Sequence, residues 1–350
     1  MSGRAWRAAV AVGGAVGGLA VASAMTGLAI RRQRTLSEGH LDGEPPLGSL
    51  RSDGQTVVAD DGVPLHVEVD GPSSGSASWA QDPALVFVHG WTLTSDCWHF
   101  QRAAFRERHR VVLYDQRSHG RSGRSDASHC TVEQLARDLA RVIEEVVPDG
   151  PLVLVGHSMG GMTIMGFAEH FAERVRDRVA GAVLLSTSAG GVIKLVPGRR
   201  GSDLVVKASP SVVAALTPFK PAIEVGRRFT SGLAYELTRR MGFGGPAPAD
   251  QVAFVDAMIA ANPVSVFTDF YPLFTRLEMY EILRAFHDLP TLVVAGSRDA
   301  ITPVEHSRHI AELIPTAELV IYEGAGHLVM FERRAEFNRL LAALVEQVTS

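Results

Sequence analysis

The residues with the most chemistry in their spacing lie in the run VLVGHSMGGMTIMGFAEH, Val153 to His170. Ser158 stands there with Gly156 two residues before it and Gly160 two residues after. That pattern describes a turn so tight that only glycine fits beside the serine, between an apolar β-branched run and a helical one. A serine hydroxyl is a poor nucleophile until a base takes its proton. Histidine has the right pKa for that task, and a carboxylate must hold it in the right tautomer. Thirteen histidines occur, so position has to choose among them. His327, in EGAGHLVMFE, follows the last apolar run in a glycine-rich loop. Asp299, in VVAGSRDAITP, follows the preceding apolar run in the same way. Gly-x-Ser-x-Gly alone arises by chance, and the order and placement of its partners give it weight. The chemistry that such a set performs is acyl transfer.

The elements that must position these residues can be read from the pattern. Short apolar runs suited to strands buried on both faces are ALVFV, VVLYD, LVLVG, AVLLS, TLVVAG and ELVIY. Helical patterns lie between several of them. In CTVEQLARDLARVIEEVV, Leu135, Leu139, Val142 and Val146 share a face, and Thr131 with Gln134 has the spacing of a capping box. This alternation predicts an α/β fold with a mostly parallel sheet covered on both sides by helices. Asp299 and His327 then fall at carboxyl ends of strands, where open α/β sheets place their sites. Ahead of these runs, QTVVADDGVPLHVEVDG predicts two strands joined by a two-residue turn at Asp61-Gly62. The alternation breaks from about residue 190 to 288, where prolines and helical patterns predict a helical lid inserted between core strands.

With these residues in place, the chain resembles the α/β-hydrolases, over about Gln55 to Ser350. The resemblance implies a triad in the chain order Ser158, Asp299, His327. His89-Gly90 in VFVHGW precedes the family's usual oxyanion position, so the hole would be made by the backbone N–H groups of Trp91 and Met159. In YDQRSHGRS, Ser118 stands where members usually have glycine, a departure that touches a structural loop. The family's alternative acid position, after AVLLS, holds Thr187 and Ser188, which favours Asp299. A serine at the elbow sets the chain apart from the epoxide hydrolases and haloalkane dehalogenases of this family, which use aspartate there.

The implied activity is hydrolysis of carboxylic esters through an acyl-enzyme, without cofactor or metal, on a small-molecule ester with an apolar acyl group. A cofactor-free perhydrolase, a carbon–carbon bond hydrolase and an acyltransferase would use the same triad. A non-catalytic ligand-binding protein on this fold is the alternative from another class. Phe219, Phe267, Phe270, Tyr271 and Phe274 of the lid are candidates for an acyl pocket, or for the lid's own core. His157 reads as a wall residue, His89 as a partner of loop backbone, and His306 with His309 as a solvated helix face.

Composition narrows the surroundings. A net charge of -4 gives no electrostatic case for nucleic acid. Cys97 and Cys130 are too few for a disulfide framework or a zinc site. The first residues depart from the rest. Ala8 to Ile30 carry no charge, follow Arg4 and Arg7, and end at Arg31 to Arg34. Thirteen of those 23 residues are Ala or Gly, so the run is only weakly apolar. As a helix it would rise about 34 Å, enough for a hydrocarbon core of about 30 Å. Residues 1–34 are therefore expected to be a membrane anchor, with a signal peptide cut after Ala24 as the alternative. Residues 35–54, polar and carrying Pro45-Pro46, are expected to be a linker ahead of a catalytic domain at 55–350.

Overall fold

A computed structural model describes residues 44–72, 82–191 and 231–349. The expected anchor at 1–34 and Phe219 lie outside them. The described residues form an eight-stranded sheet in the order β1-β2-β4-β3-β5-β6-β7-β8. β1 (Gly54–Val58) and β2 (Pro64–Asp70) are antiparallel to their neighbours. β3 (Ala84–Val88), β4 (Val111–Tyr114), β5 (Leu152–His157), β6 (Val179–Leu185), β7 (Thr291–Gly296) and β8 (Ala317–Tyr322) are parallel.

The period of two in a strand separates the core into two halves. Leu152 and Leu154 of β5 join Val86, Val88, Ala182, Leu184 and Val293 in one apolar cluster. That face is covered by α2 (Val132–Val146) and α3 (Met159–His170). Val153 and Val155 point to the other side, with Leu85, Phe87, Val183, Leu185 and Val294. There α1 (His99–Phe105) and α10 (Arg334–Thr349) supply Phe100, Phe337 and Leu341. Thr131 caps α2 as its spacing predicts, accepting from the Gln134 N–H at 3.2 Å.

Two expectations need correction. The β1–β2 connection is longer than two residues: Ala59 N–H donates to Val63 O at 2.9 Å, and Gly62 takes the left-handed φ of 87°. The longer loop lets Asp61 reach the buried Arg117, 2.7 Å away. The described part of the stretch expected as a loose linker, 44–53, is docked on the domain. Arg51 forms an ion pair with Asp96, and Ser52 N–H donates to Glu68 at 3.1 Å. Polar residues with no apolar periodicity look like a tether in sequence, but here their partners are charges far along the chain.

The insertion lies between β6 and β7. It follows α4 (Ala172–Arg178) and precedes α8 (Val304–Leu313), and its described part is α5 (Ser231–Gly242), α6 (Ala249–Ala261), α7 (Val264–Arg276) and a 3₁₀ turn at Tyr280–Phe286. Pro248 and Pro263 stand immediately before α6 and α7, where a missing N–H costs nothing. Among the described residues no single helix is long and apolar enough to cross a membrane.

Candidate active site

Ser158 sits between β5 and α3 with φ 53° and ψ −117°, backbone that a non-glycine residue rarely adopts. Such strain costs of order 1–3 kcal/mol and persists only where the surroundings over-determine it. They do so here. The Ser158 N–H still donates to Leu185 O of β6 at 2.9 Å, while Thr187 Oγ1 donates to Ser158 O at 2.7 Å. A Cβ on Gly160 would lie 2.0 Å from Val88 O, and one on Gly156 would lie 2.6 Å from Gly160 O. The glycines are required because three backbones meet at this turn.

The next backbone to meet it carries Trp91. A Cβ on Gly90 would lie 3.1 Å from Ser158 Cβ, so the loop after β3 runs alongside the elbow. His89 braces that loop. Its Nε2 accepts from Gln116 N–H at 2.9 Å, which leaves Nδ1 to donate to Gly90 O at 2.8 Å. Burial lowers the His89 pKa and keeps the ring neutral. The insertion holds the same loop from above: Trp91 Nε1 donates to Val266 O at 3.1 Å, and Asn262 Nδ2 donates to Thr92 O at 2.7 Å. Met159 is the first residue of α3, so its N–H belongs to the helix's unpaired N-terminal donors, at the positive end of the dipole.

Asp299 lies after β7 and His327 after β8, both buried. Asp299 Oδ2 accepts from His327 Nδ1 at 2.8 Å, which leaves Nε2 with its lone pair. Thr302 Oγ1 donates to the same oxygen at 2.8 Å, and the N–H groups of Ile301 and Thr302 bond Oδ1 at 2.8 and 2.9 Å. Burial alone would raise the Asp299 pKa. The His327 charge and these hydrogen bonds outweigh it and hold the carboxyl below its usual range.

Elbow and histidine loop meet through His157. Its Nε2 donates to His327 O at 3.0 Å, and the two ring centroids are 4.6 Å apart. Burial, then the His327 charge, lowers the His157 pKa well below the usual value, so the ring is a neutral donor. Among the described residues no hydrogen bond joins Ser158 directly to His327. Such contacts are often long before substrate arrives.

Several sequence readings change here. His157 is more than a wall residue, because it carries the carbonyl of His327. His306 is buried, with Nδ1 2.9 Å from Ser188 Oγ, whereas His309 is exposed as expected. Phe270 and Phe274 are buried, and Phe274 and Phe267 pack on the Trp91 ring at 4.9 and 5.6 Å. The Trp91 ring is thus packed into the insertion's apolar side chains. Ser118 has φ 66°, which explains why glycine is usual there; its Oγ accepts from Ser125 N–H at 3.0 Å. Cys97 and Cys130 are buried free thiols, and among the described residues no cluster of ligating side chains could hold a metal ion. Sequence reading missed Thr302, although three residues after an aspartate is the spacing of a local side-chain turn.

Comparison with known proteins agrees with the fold. A model of the alpha/beta hydrolase family matches residues 85–340. A non-heme haloperoxidase of Rhodococcus erythropolis is 28% identical over 298 residues, covering 81% of this chain and 100% of its own length. A bifunctional esterase/perhydrolase of Acinetobacter calcoaceticus is 29% identical over 304 residues, covering 83% of this chain and 98% of its own. Among solved structures, an esterase from Exiguobacterium antarcticum has a TM-score of 0.67 at 19% identity, a likeness of fold covering 84% of this chain and 100% of that one. With a strained serine at the strand–helix turn and the family's pattern matched over most of its length, the chain belongs to the alpha/beta hydrolase family.

Proposed function

We propose that the protein hydrolyses carboxylic esters through an acyl-enzyme on Ser158. The observation that carries this reading is the Asp299–His327 hydrogen bond of 2.8 Å, which fixes the imidazole with Nδ1 protonated and Nε2 free to act as base. Nε2 takes the Ser158 proton as Oγ attacks the acyl carbon. The N–H groups of Met159 and Trp91 receive the oxyanion, each worth about 2.7–4 kcal/mol in the transition state. His327 then protonates the leaving alcohol, and a water activated by the same nitrogen releases the acid.

Perhydrolysis is the second reading, favoured by the haloperoxidase and esterase/perhydrolase relatives. In it, hydrogen peroxide replaces water: the acyl group leaves as a peracid and Ser158 regains its proton. One experiment tests both. Aryl esters of graded acyl length are turned over with and without peroxide, and peracid is read by bromide oxidation. Ester turnover lost in Ser158→Ala supports the reading, and turnover retained by a folded Ser158→Ala enzyme refutes it.

We also propose that residues 1–34 attach this enzyme to a membrane, on the strength of the uncharged run Ala8 to Ile30 between arginines. Membrane fractionation with N-terminal sequencing separates an anchor from a cleaved signal. A full-length protein found only in the soluble fraction refutes the attachment.

A further inference from the structure

The loop that carries His327 is held by groups outside the triad. The peptide units around the histidine are fixed one by one. Gly326 N–H donates to Glu332 Oε1 at 2.6 Å, His327 O accepts from His157, and Leu328 N–H donates to Gly242 O at 2.9 Å. Glu332 ends α9 (Val329–Glu332), the single turn that follows the histidine. Its second oxygen, Oε2, accepts from Gly244 N–H at 3.0 Å. Gly242 and Gly244 are the last residue of α5 and the second beyond it, so they belong to the insertion.

The contact between the two backbones is close enough to exclude any side chain. A Cβ on Gly244 would lie 2.4 Å from the Ala325 carbonyl carbon and 2.5 Å from Gly326 N. A Cβ on Gly326 would lie 2.4 Å from Gly244 N. Gly244 also touches the acid loop, since Arg298 Nη1 donates to Gly244 O at 3.2 Å and Arg298 N–H donates to Ala325 O at 2.8 Å. One bridging carboxylate therefore fastens the histidine loop to the insertion at the place where the acid loop arrives.

We propose that Glu332 is a positioning residue for His327, whose carboxylate bridges the N–H groups of Gly326 and Gly244 and so couples the seating of the insertion to the aim of the imidazole. This rests on His327 being the base, as proposed above. A carboxyl group can accept on both oxygens. A carboxamide offers one acceptor and turns a donor toward the other N–H. Burial pushes the Glu332 carboxyl above its usual range, while the two N–H groups and Arg333 pull it down. A group kept half-buried against that desolvation is held by the bonds it makes.

The test uses the full chain with Glu332→Gln and, from the other side of the contact, Gly244→Ala. Two readouts are taken: steady-state kinetics on a soluble aryl ester, and the downfield proton resonance of the His327–Asp299 hydrogen bond. A misplacement of the base by a fraction of an ångström is expected to lower kcat by about 10- to 100-fold. KM should stay within about twofold, because no substrate contact is removed. The resonance should shift or broaden in both variants, with far-UV circular dichroism unchanged. A Glu332→Gln enzyme with wild-type kcat and an unshifted resonance overturns the proposal. So does a loss that falls on KM and melting temperature alone, which marks a merely structural residue. If wild-type turnover proves independent of Ser158, the catalytic reading fails separately, and the resonance still decides whether Glu332 orients His327.

Discussion

The two halves of the candidate machinery are held in place by different kinds of structure. The turn of Ser158 is fixed by its immediate surroundings: β5 before it, α3 after it, and the neighbouring strands β3 and β6, through Val88, Leu185 and Thr187. The histidine loop leans on the end of β7, where a Cβ on Gly296 would lie 2.2 Å from Gly326 O, but its other supports come from further away. It is carried by His157 from the elbow, by Glu332 from the following turn, and by Gly242 and Gly244 from the helical insertion. In the proposed mechanism a serine fixed by its neighbours works with a histidine whose position depends on parts that are far apart in sequence. Damage to the glycines that shape the first site should act on chemistry and folding together. Damage at the supports of the second should act on rate with the fold intact.

The largest effects are expected at the reacting groups. Ser158→Ala and His327→Ala should abolish ester turnover, measured against the uncatalysed rate, with melting temperatures close to wild type. Asp299→Asn should lower kcat by about four orders of magnitude, because the amide does not fix the imidazole with Nδ1 protonated. Unchanged kcat in Asp299→Asn would mean that another carboxylate holds the histidine.

Gly160→Ala separates the two regions more sharply. Its Cβ would fall on Val88 O, and no flexible side chain is there to yield. Overpacking of this kind costs about 1–3 kcal/mol, read as a lower urea midpoint together with lost activity. The positioning variant Glu332→Gln should lower activity with a smaller stability cost, whereas Gly244→Ala, whose Cβ also falls on backbone, should lose stability as well. Equal stability losses at Gly160 and at Glu332 would erase the distinction drawn here.

The difference between the regions also decides how much of each is legible in the sequence. The turn of Ser158 is local, so Gly156, Gly160 and the switch from strand to helical periodicity announce it. The strands themselves are short apolar runs that burial on both faces requires. The insertion is visible as a break in that alternation, but which loops its helices hold is not. Asn262, Gly244 and Glu332 act through main-chain groups, and main-chain partners leave no pattern in side-chain chemistry. His157 and His306 meet a distant carbonyl and a distant serine hydroxyl, partners that the sequence alone does not place. The docking of residues 44–53 depends on Arg51 meeting Asp96 and on Ser52 meeting Glu68, pairs that no periodicity predicts.

That docking lies in a charged network whose pH dependence can be measured. Burial would raise Glu68 and Asp115. Arg102 with the Ser52 N–H brings Glu68 down to about 2, and the Arg121 charge with the N–H groups of Arg121 and Ser95 brings Asp115 down to about 2. Both folded values are depressed, so their stabilisation is fully present above the unfolded values of about 4. It is lost as pH falls toward about 2. Urea midpoints between pH 6 and pH 2 should therefore fall steeply below pH 4 in wild type and less steeply in Asp115→Asn. Parallel curves would show that the network contributes nothing to acid stability.

Smaller effects are expected where a side chain only frames the site. Trp91→Phe keeps the backbone donor and the ring contacts with Phe267 and Phe274, and loses one hydrogen bond to Val266 O. That bond is worth about 0.5–1.5 kcal/mol, so kcat should fall by less than about tenfold while acyl preference shifts. A thousandfold loss with unchanged circular dichroism would place the ring itself in the chemistry. Deleting residues 1–34 should leave turnover of a soluble ester unchanged, because no proposed site residue lies there.

The claim on which the rest depends is that Ser158 is the activated nucleophile, and covalent trapping tests it most directly. The purified full-length protein is treated with a fluorophosphonate, digested, and mapped by mass spectrometry. The account predicts one phosphonyl adduct, on the peptide containing Ser158, absent from Ser158→Ala and strongly slowed in His327→Ala. A folded, ester-hydrolysing protein with no adduct, or with its adduct on another residue, would contradict it.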